Sequence, residues 1–496
     1  MKSLVVVDRS DNWSFDIPSV DVVSAREYTT RPDLWAKRGL RVFNLCRSYR
    51  YQSAGYYVSL LAAARGHKPV PSMATIQDLK SNEVVRIRSD ELDDLIQQAL
   101  KPIRATDFVL SIYFGHNLAK RYERLAAHLF RVFHTPFMRA RFERTEEGQW
   151  RLVRLSTIAA AEIPEGHKQF VEQAARDYFG SPKRRRSRRP GRFDLAILVN
   201  PEEAEPPSNA RAIERFMRAA RRHDITPWLV QRDEYARIGE FDALFIRETT
   251  NVHHHTFRFA LRAQAEGLVV VDDPESILRC TNKVYLAELM DRIGVGTPRT
   301  LVVHRGNINE VIPRLGLPCI LKQPDSAFCQ GVMKAETEAE FREMAGRLLE
   351  KSELIVAQEY TPTEYDWRVG IFDGQPLYVC KYYMAPKHWQ VTATLKSGRR
   401  RSGRVESVPV EEAPRGVVKT ALKAARAIGD GLYGVDLKQL GRRVVVMEVN
   451  DNPSIETPYE DKLLGDALYD RIMGVFLKRL EARQRGVASV GEVRGS

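Results

Sequence analysis

The sequence predicts an α/β protein made of several domains. The chain has 496 residues, and at roughly 150 residues per domain it is long enough for about three domains. Hydrophobic residues make up 43% and charged residues 28%, which is an ordinary globular mixture and excludes a wholly disordered chain. Short apolar runs alternate with segments of helical periodicity, and this alternation is typical of sheets covered by helices.

The net charge indicates the class of ligand, and the cysteine pattern indicates the cellular compartment. Lys and Arg total 77 and Asp and Glu total 64, so the net charge is +13, which suits a nucleotide, an acidic substrate or a nucleic acid without choosing among them. No apolar run approaches the roughly 18 residues that span a bilayer, and the cysteines are dispersed without a Cys-x-x-Cys pair. We therefore expect reduced thiols, a cytoplasmic location and no membrane partner.

Residues 1–180 form the first predicted domain, an α/β unit with a ligand loop. Apolar runs at 4–7 and 41–45 predict strands, and a helix is expected over 58–65 with Gly66 after its end. A polar and aromatic loop before this helix can recognise a second substrate, although structural roles for its tyrosines are at least as well supported. The candidate residues of the loop are Asn44, Arg47, Tyr49 and Tyr51.

A basic linker at 181–192 separates this domain from the rest of the chain. Six Lys and Arg residues stand between two prolines, a composition that cannot pack in a core. Residues 193–280 then alternate strands and helices, which predicts a small parallel sheet. Residues 281–480 combine antiparallel-looking strands with a few helices, and residues 481–496 are expected to form a flexible tail.

The most informative segment is the oxygen-rich end of a strand that leads to residue 450. Side chains alternate along a strand, so Glu448 and Asn450 face the same way, and Asp436 lies in a second apolar strand. Carboxylate and amide oxygens are the ligands that Mg²⁺ takes when phosphates complete its octahedron. On spacing alone, two strand-end acids exposed to solvent are an equal alternative.

Three lysines and a break between two strands add to this pattern. Lys283 begins a predicted helix, where a cation is favourable if an anion also sits there. Lys322 and Lys381 lie in apolar strands, and for each lysine alone a solvated side chain is the favoured interpretation. After a Thr-Pro-Thr break, Asp366 and Arg368 share one face of a strand, for which an exposed ion pair is the plain alternative.

Taken in order, these segments resemble the ATP-grasp ligases, specifically their RimK-like branch, over roughly residues 193–479. The upstream segment 44–67 resembles the RimK-like ATP-grasp N-terminal (RLAN) domain that is fused to a subset of these enzymes. The resemblance implies an N-terminal α/β domain followed by an ATP-grasp fold. That fold combines a small parallel-sheet domain with two α+β lobes that clamp ATP.

The resemblance also implies residue roles. It implies ATP with Mg²⁺, as two ions with Mn²⁺ as a substitute, and it makes Glu448 the bridge between the ions. The implied ATP-binding residues are Lys283, Lys322 and Ser326 around the phosphates, Gln358, Glu359 and Tyr360 at adenine, and Asp366 at the ribose. The implied catalytic residues are Arg368 and Lys381, and the implied metal ligands are Asp436, Glu448 and Asn450.

Three loops call for separate comment. The phosphate loop at 325–332 contains only one glycine, so we expect it to be less mobile than the usual glycine-rich loop. Lys387 or His388 can contact an acidic acceptor, with a solvated loop as an equal alternative. The run at 253–255 is three histidines, and we expect a solvated helix start because consecutive helical residues diverge by about 100°.

The sequence therefore predicts an ATP- and Mg²⁺-dependent ligase that joins a small-molecule carboxylate to an amine through an acyl phosphate. The expected acceptor is an amino acid or a short peptide. One alternative is a nucleic-acid- or ribosome-binding protein regulated by nucleotide, which the basic linker leaves open although a nucleic acid is the less favoured partner. The other alternative is a ligase that uses a thiol or a protein tail as acceptor.

Overall fold

The computed structural model describes residues 3–10, 13, 15, 17, 20–35, 40–82, 85, 92–180, 191–325, 331–386, 388–394 and 400–492. The chain divides into two compact units. Unit 1 comprises Met1–Pro190, Asp233–Asp242 and Leu480–Ser496, and unit 2 comprises Gly191–Arg232 and Ala243–Arg479. Within the described residues, no helix has the length and apolar character needed to cross a bilayer.

Unit 1 begins with a four-stranded parallel sheet in the order β2-β1-β3-β4. Its strands are β1 (Ser3–Val7), β2 (Val20–Ser24), β3 (Arg41–Asn44) and β4 (Lys68–Val70), and its helices are α1 (Ala25–Thr30), α2 (Pro32–Trp35), α3 (Ala54–Ala64) and α4 (Met73–Asp78). Side chains alternate along β1, so Leu4 and Val6 pack in one cluster with Val58 of α3, whereas Val5 and Val7 pack in another. Both faces of the sheet are therefore buried.

The rest of unit 1 is built around a three-stranded antiparallel sheet in the order β5-β6-β7. The elements are α5 (Asp93–Leu100), β5 (Asp107–Tyr113), α6 (Glu123–Phe133), β6 (Phe137–Arg144), β7 (Trp150–Thr157) and α7 (Lys168–Gly180). Buried residues of α6, such as Leu125 and Leu129, pack with Phe142 of β6. The predicted basic linker follows, and its residues 181–190 lie outside the described residues.

Unit 2 starts with a second parallel sheet, in the order β11-β10-β8-β9. The elements are β8 (Phe193–Leu198), α8 (Ala210–Arg222), β9 (Ile225–Val230), β10 (Ala243–Ile246), α9 (His255–Ala265), β11 (Val269–Val271), α10 (Pro274–Thr281) and α11 (Lys283–Arg292). This is the small parallel sheet that the alternation of strands and helices predicts. The carboxyl ends of its strands lie at one edge, where loops from parallel strands gather.

Two antiparallel sheets complete unit 2. The first has the order β12-β15-β13-β14, with elements β12 (Thr300–Val303), α12 (Val311–Leu315), β13 (Cys319–Lys322), β14 (Val332–Ala335), α13 (Glu338–Leu349) and β15 (Ile355–Glu359). The second has the order β20-β17-β16-β21-β22. Its elements are β16 (Tyr365–Phe372), β17 (Gln375–Tyr383), β18 (Thr392–Thr394), β19 (Arg400–Ser402), β20 (Val405–Val408), α14 (Arg415–Ile428), β21 (Leu432–Leu440), β22 (Arg443–Asp451) and α15 (Asp466–Glu492), with β18 and β19 paired as a separate ribbon.

The second antiparallel sheet has one apolar face and one polar face. Trp367, Val369 and Val435 pack with Ala421 of α14 in one core cluster, so the side chains between them in sequence point to the other face. The polar face carries Arg368 and Asp436. The parallel sheet and the two antiparallel sheets, with their helices, confirm the predicted α/β class. The helix α15 includes residues 481–492, which the sequence analysis assigned to a flexible tail.

Candidate active site

A cavity of about 370 Å³ in unit 2 collects polar side chains from all three sheets. A volume of this size lies within the range of small-molecule sites. The parallel sheet contributes the loop after β10, the first antiparallel sheet contributes β13 and β15, and the second contributes β16, β21 and β22. Most of the sequence-predicted ligands line it, namely Lys283, Lys322, Gln358, Glu359, Tyr360, Asp366, Arg368, Asp436, Glu448 and Asn450.

The three predicted metal ligands meet on two neighbouring strands. β21 and β22 are antiparallel, with Asp436 opposite Glu448 and Gly434 opposite Asn450. The Asn450 amide nitrogen donates to Asp436 Oδ2 over 3.1 Å, which leaves its carbonyl oxygen as the ligand atom. A side chain at Gly434 would place its Cβ 2.7 Å from the Cβ of Pro453, so the close approach of the following turn requires glycine here.

Two of the predicted metal ligands, Asp436 and Glu448, are each paired with a cation. Arg368 binds Asp436 through two parallel hydrogen bonds, Nε to Oδ1 and Nη2 to Oδ2, each 2.6 Å long. Burial raises the pKa of Asp436, and the guanidinium of Arg368 opposes this rise only in part. A bidentate pair of this kind fixes the orientation of both side chains.

Glu448 lies against the first residue of a helix. Lys283 begins α11, whose N-cap is Asn282, and its Nζ lies 3.2 Å from Glu448 Oε1. Burial alone would raise the pKa of Glu448, but Lys283, Lys322 and Arg368 together lower it below the ordinary value. Glu448 therefore carries a negative charge in the cavity at neutral pH.

A lysine that the sequence analysis did not single out, Lys438, forms hydrogen bonds with the segment that follows the strand break near residue 362. Lys438 is 7% exposed, and its Nζ donates to Thr363 Oγ1 and to Asp366 Oδ1, each over 2.6 Å. Both Lys438 and Thr363 donate a hydrogen bond to Oδ1 of Asp366, so Oδ2 remains available to a ligand. Because Lys438 follows Asp436 by two positions on one strand, the same periodicity that located Asp436 could have located it.

The segment 358–360 enters the cavity at the end of β15. Gln358 donates to Thr300 Oγ1 over 3.0 Å, and its buried side-chain oxygen has no partner among the described residues. Arg299 binds Glu359 at 2.6 Å. The ring of Tyr360 lies edge-on to Trp389 with centroids 6.2 Å apart, and Trp389, a second cavity residue missed from the sequence, also lines the site.

Lys381 is not brought to the cavity. In the antiparallel pair β16–β17, Trp367 stands opposite Lys381 and Arg368 stands opposite Cys380, so Lys381 points to the opposite face of the sheet from Arg368. There its Nζ lies 3.3 Å from Glu406 and 5.4 Å from the centre of the Trp367 ring. The structure therefore does not bring Lys381 together with Arg368, the other implied catalytic residue, because residue type and spacing do not fix the pairing register.

Other predicted residues are placed elsewhere. His388 stacks on Trp389 with ring centroids 5.8 Å apart, next to the cavity wall. Ser326 and Lys387 lie outside the described residues, as do the other positions of the phosphate loop from 327 to 330. The candidate loop of residues 44–51 belongs to unit 1.

That unit 1 loop divides into buried and exposed members. Asn44 is fully buried, and its side chain donates to Gly55 O over 2.7 Å and to Ser59 Oγ over 2.9 Å. The hydroxyl of Tyr49 donates to the carbonyl of Asn44, so Asn44 connects the loop to α3 and Tyr49 fixes the loop against the end of β3. Arg47 and Tyr51 are exposed to 77% and 71%, so these two remain the candidates for contact with a ligand.

A buried arginine fixes the turn that follows the metal-ligand strand. Arg247 is 1% exposed and donates to the side chain of Asn452 over 2.7 Å and to the carbonyl of Pro453 over 2.8 Å. Burial lowers the pKa of Arg247 to about 10, which leaves the guanidinium charged at neutral pH. This contact connects the parallel sheet to the end of β22 and so positions Asn450.

Comparison with known proteins agrees with the resemblance. The RimK-like ATP-grasp N-terminal domain family matches residues 25–174, and the RimK-like ATP-grasp domain family matches residues 280–465. A probable alpha-L-glutamate ligase of Vibrio vulnificus strain YJ016 is 27% identical over 221 residues, which cover 44% of this chain and 71% of that protein. A protein of the same name from Teredinibacter turnerae is 27% identical over 220 residues, covering 44% and 70%.

Two solved structures each match somewhat more than half of the chain at low sequence identity. The structure of D-cycloserine synthetase DcsG has 16% identity and a TM-score of 0.47, and covers 58% of this chain and 99% of that one. D-alanine–D-alanine ligase from Bacillus anthracis has 14% identity and a TM-score of 0.45, and covers 59% and 99%.

The two family matches define the class of protein as an ATP-dependent ligase that forms carbon–nitrogen bonds. Within that class, the chain belongs to the RimK-like ATP-grasp family, in the form that carries an RLAN domain.

Proposed function

We propose that this protein activates a carboxylate with ATP and Mg²⁺ and joins it to an amine through an acyl phosphate. One observation carries the proposal: Asp436 and Glu448 lie side by side on β21 and β22 and line the same cavity as Lys283 and Lys322. Carboxylates that bind metal and lysines that bind phosphate are the two halves of a metal–triphosphate site.

The donor set fits a hard divalent cation. Asp436 and Glu448 supply carboxylate oxygens and Asn450 supplies an amide oxygen, which are the ligand types that Mg²⁺ prefers together with phosphate oxygens. We propose that these three residues would hold Mg²⁺, with Mn²⁺ as a substitute, and that two ions would bind at this site. The metal would neutralise charge on the phosphates.

The remaining cavity residues suit a nucleotide. Lys283 and Lys322 would contact the phosphates, and Asp366 would accept hydrogen bonds from the ribose through Oδ2. The segment 358–360 would meet adenine mainly through backbone groups, next to the aromatic rings of Tyr360 and Trp389. Ser326 of the phosphate loop remains a proposed phosphate contact.

Arg368 is the proposed catalytic cation. In the first step an oxygen of the donor carboxylate bonds to the γ-phosphorus, the bond to the bridging oxygen breaks, and ADP leaves with the electron pair. The acceptor nitrogen then bonds to the acyl carbon, phosphate leaves, and the nitrogen loses its proton. Arg368 would stabilise the negative charge that these steps place on the phosphoryl oxygens, and enclosure of the reactants would protect the acyl phosphate from water.

The substrates are an amino acid or short peptide as acceptor and a small carboxylate as donor. L-glutamate is the first amino acid to test, since the curated relatives named above are probable alpha-L-glutamate ligases. We propose that the domain at 1–180 selects the acceptor, and that the linker at 181–192 joins it to the parallel-sheet domain at 193–280. The two lobes at 281–480 would then clamp ATP. His388, beside Trp389, and Lys387 are proposed acceptor contacts.

The test is a screen for ADP release over a panel of acids and amines, with products identified by mass spectrometry. The proposal expects ADP, phosphate and amide in equal amounts, and an acyl hydroxamate when hydroxylamine replaces the amine. If the screen finds that a thiol or a protein tail serves as acceptor in place of a small amine, only the proposed identity of the acceptor changes. If the protein is retained on RNA in a salt-sensitive way and an acceptor does not stimulate ADP release, the ligase proposal is refuted and nucleic-acid binding is supported.

A further inference from the structure

The loop between β10 and α9 carries a second cluster of coordinating side chains, separate from the proposed magnesium ligands. Ligand atoms of Glu248, His254 and His255 all lie within 4.8 Å of one another. The sequence analysis expected the histidines to diverge, but His254 is the N-cap of α9 and has an extended backbone, with φ −101° and ψ 159°. The helical spacing therefore does not apply, and the rings of His254 and His255 lie 3.9 Å apart.

Two of the three members of the cluster are buried. Glu248 is 2% exposed and His255 is 7% exposed, and His255 Nε2 lies 2.9 Å from Glu248 Oε2. The other ring nitrogen of His255, Nδ1, has no hydrogen-bond partner among the described residues. The ring nitrogen of His255 that faces Glu248, Nε2, is the one that can coordinate an ion together with that carboxylate.

The surroundings of the cluster include an orienting hydrogen bond and a further carboxylate. His254 is partly buried. Its Nδ1 lies 3.2 Å from Thr256 Oγ1, and this contact orients the ring. The carboxylate of Glu203 interacts electrostatically with both Glu248 and His255, so a second negative charge lies close to the cluster, whereas Arg232 is the cation that acts on His254.

We propose that Glu248, His254 and His255 bind a zinc ion. Two imidazoles and one carboxylate form the donor set of three-ligand zinc sites, which keep a fourth position for water or substrate. Imidazole ligands favour zinc-type ions over magnesium. Since the same loop supplies Thr249, Thr250 and Asn251 to the cavity wall, the ion would hold that part of the wall in place.

The chain offers a matched control for this site. His253 belongs to the same run of histidines but is exposed and is not part of the cluster. The experiment uses the full-length protein without an affinity tag, stripped with a chelator and reconstituted with zinc without nucleotide. Excess Mg²⁺ is present to occupy the carboxylate site at Asp436 and Glu448. Zinc is measured by mass spectrometry after gel filtration, and the Co²⁺-loaded protein is examined for the visible absorption of a tetrahedral site.

The wild type and His253→Ala should each retain one zinc ion per chain. His254→Ala should weaken zinc binding at least about tenfold, and Glu248→Gln should do the same. Because His254 is only partly buried, the His254→Ala variant decides the question even if Glu248→Gln fails to fold. Absence of bound zinc in the wild type, or equal retention by the His253→Ala and His254→Ala variants, would overturn the proposal. Neither result would bear on the ligase activity.

Discussion

Replacement of Glu448 by Gln tests the proposed metal site most directly. The change keeps the volume of the side chain but removes a charge that lies 3.2 Å from Lys283 Nζ. Glu448 is exposed to 32% and Lys283 to 9%, so we expect the loss of the ion pair to cost about 1–2 kcal/mol of stability. The fold should therefore survive, with a thermal midpoint lower by several degrees.

The effect on catalysis should be much larger. Loss of a charged ligand to the metal removes several kcal/mol of transition-state stabilisation, and about 4 kcal/mol corresponds to about a 10³-fold fall in kcat/KM. The assay is the release of ADP that depends on an acceptor, at saturating ATP and Mg²⁺. Circular dichroism of the same samples separates lost activity from lost structure.

Glu406→Gln is the matched control. Glu406 also lies beside a lysine, at 3.3 Å from Lys381 Nζ, but on the side of the sheet away from the cavity. It should lose the same kind of ion pair and keep its activity within about threefold of the wild type. A Glu448→Gln enzyme within tenfold of the wild type, or an equal loss in Glu406→Gln, would refute the metal assignment.

Four further substitutions test other parts of the molecule. Lys438→Met removes the ammonium that orients the proposed ribose-binding carboxylate, so the KM for ATP should rise about tenfold or more while the product stays the same, as measured by ADP release. Arg47→Ala should change the KM for the acceptor without a change in thermal midpoint, whereas Asn44→Ala, which leaves buried groups unpaired, should cost about 1–3 kcal/mol in urea unfolding. Asp373 has φ 52°, which Asn tolerates, and hydrogen bonds from Lys478 and Arg479 lower its pKa. A depressed pKa stabilises the fold above the unfolded value of about 4 and loses this effect as the pH falls through the lower folded value. Asp373→Asn should therefore destabilise the fold at pH 7, and its difference from the wild type should shrink as the pH is lowered below about 4.

Local periodicity predicted which residues of a strand share a face. Glu448 with Asn450 and Asp366 with Arg368 each line the cavity as the alternation requires. The same reasoning could not place Lys381, because its face depends on which residue of β16 it stands opposite. That register is set by packing across the sheet and not by the spacing of one strand.

Contacts between distant segments were invisible to the sequence analysis for a related reason. Arg247 and Asn452 are 205 positions apart and still share a buried hydrogen bond. A lone arginine after an apolar strand gives no sign of its partner. The histidines at 253–255 show that a local expectation can also fail. A helical spacing was expected there, but His254 caps the helix with an extended backbone.

Lys283 should affect the affinities for metal and for nucleotide in opposite directions, because its ammonium is paired with the carboxylate of Glu448 in the cavity. Lys283 neutralises Glu448 when no ligand is bound, and it would contact phosphate when ATP is bound. Lys283→Met should therefore weaken the affinity for ATP with Mg²⁺, because a phosphate contact is lost. It should also tighten the binding of Mn²⁺ alone by about three- to tenfold, because a cation that opposes the metal is removed, a change of about 1 kcal/mol. Electron paramagnetic resonance of free Mn²⁺ measures the second quantity and calorimetry measures the first. Lys381→Met, which removes an ammonium from the other face of the sheet, should change neither. If Lys283→Met weakens both affinities, Lys283 serves only to hold the fold around Glu448, and its proposed contact with the phosphates of ATP is wrong.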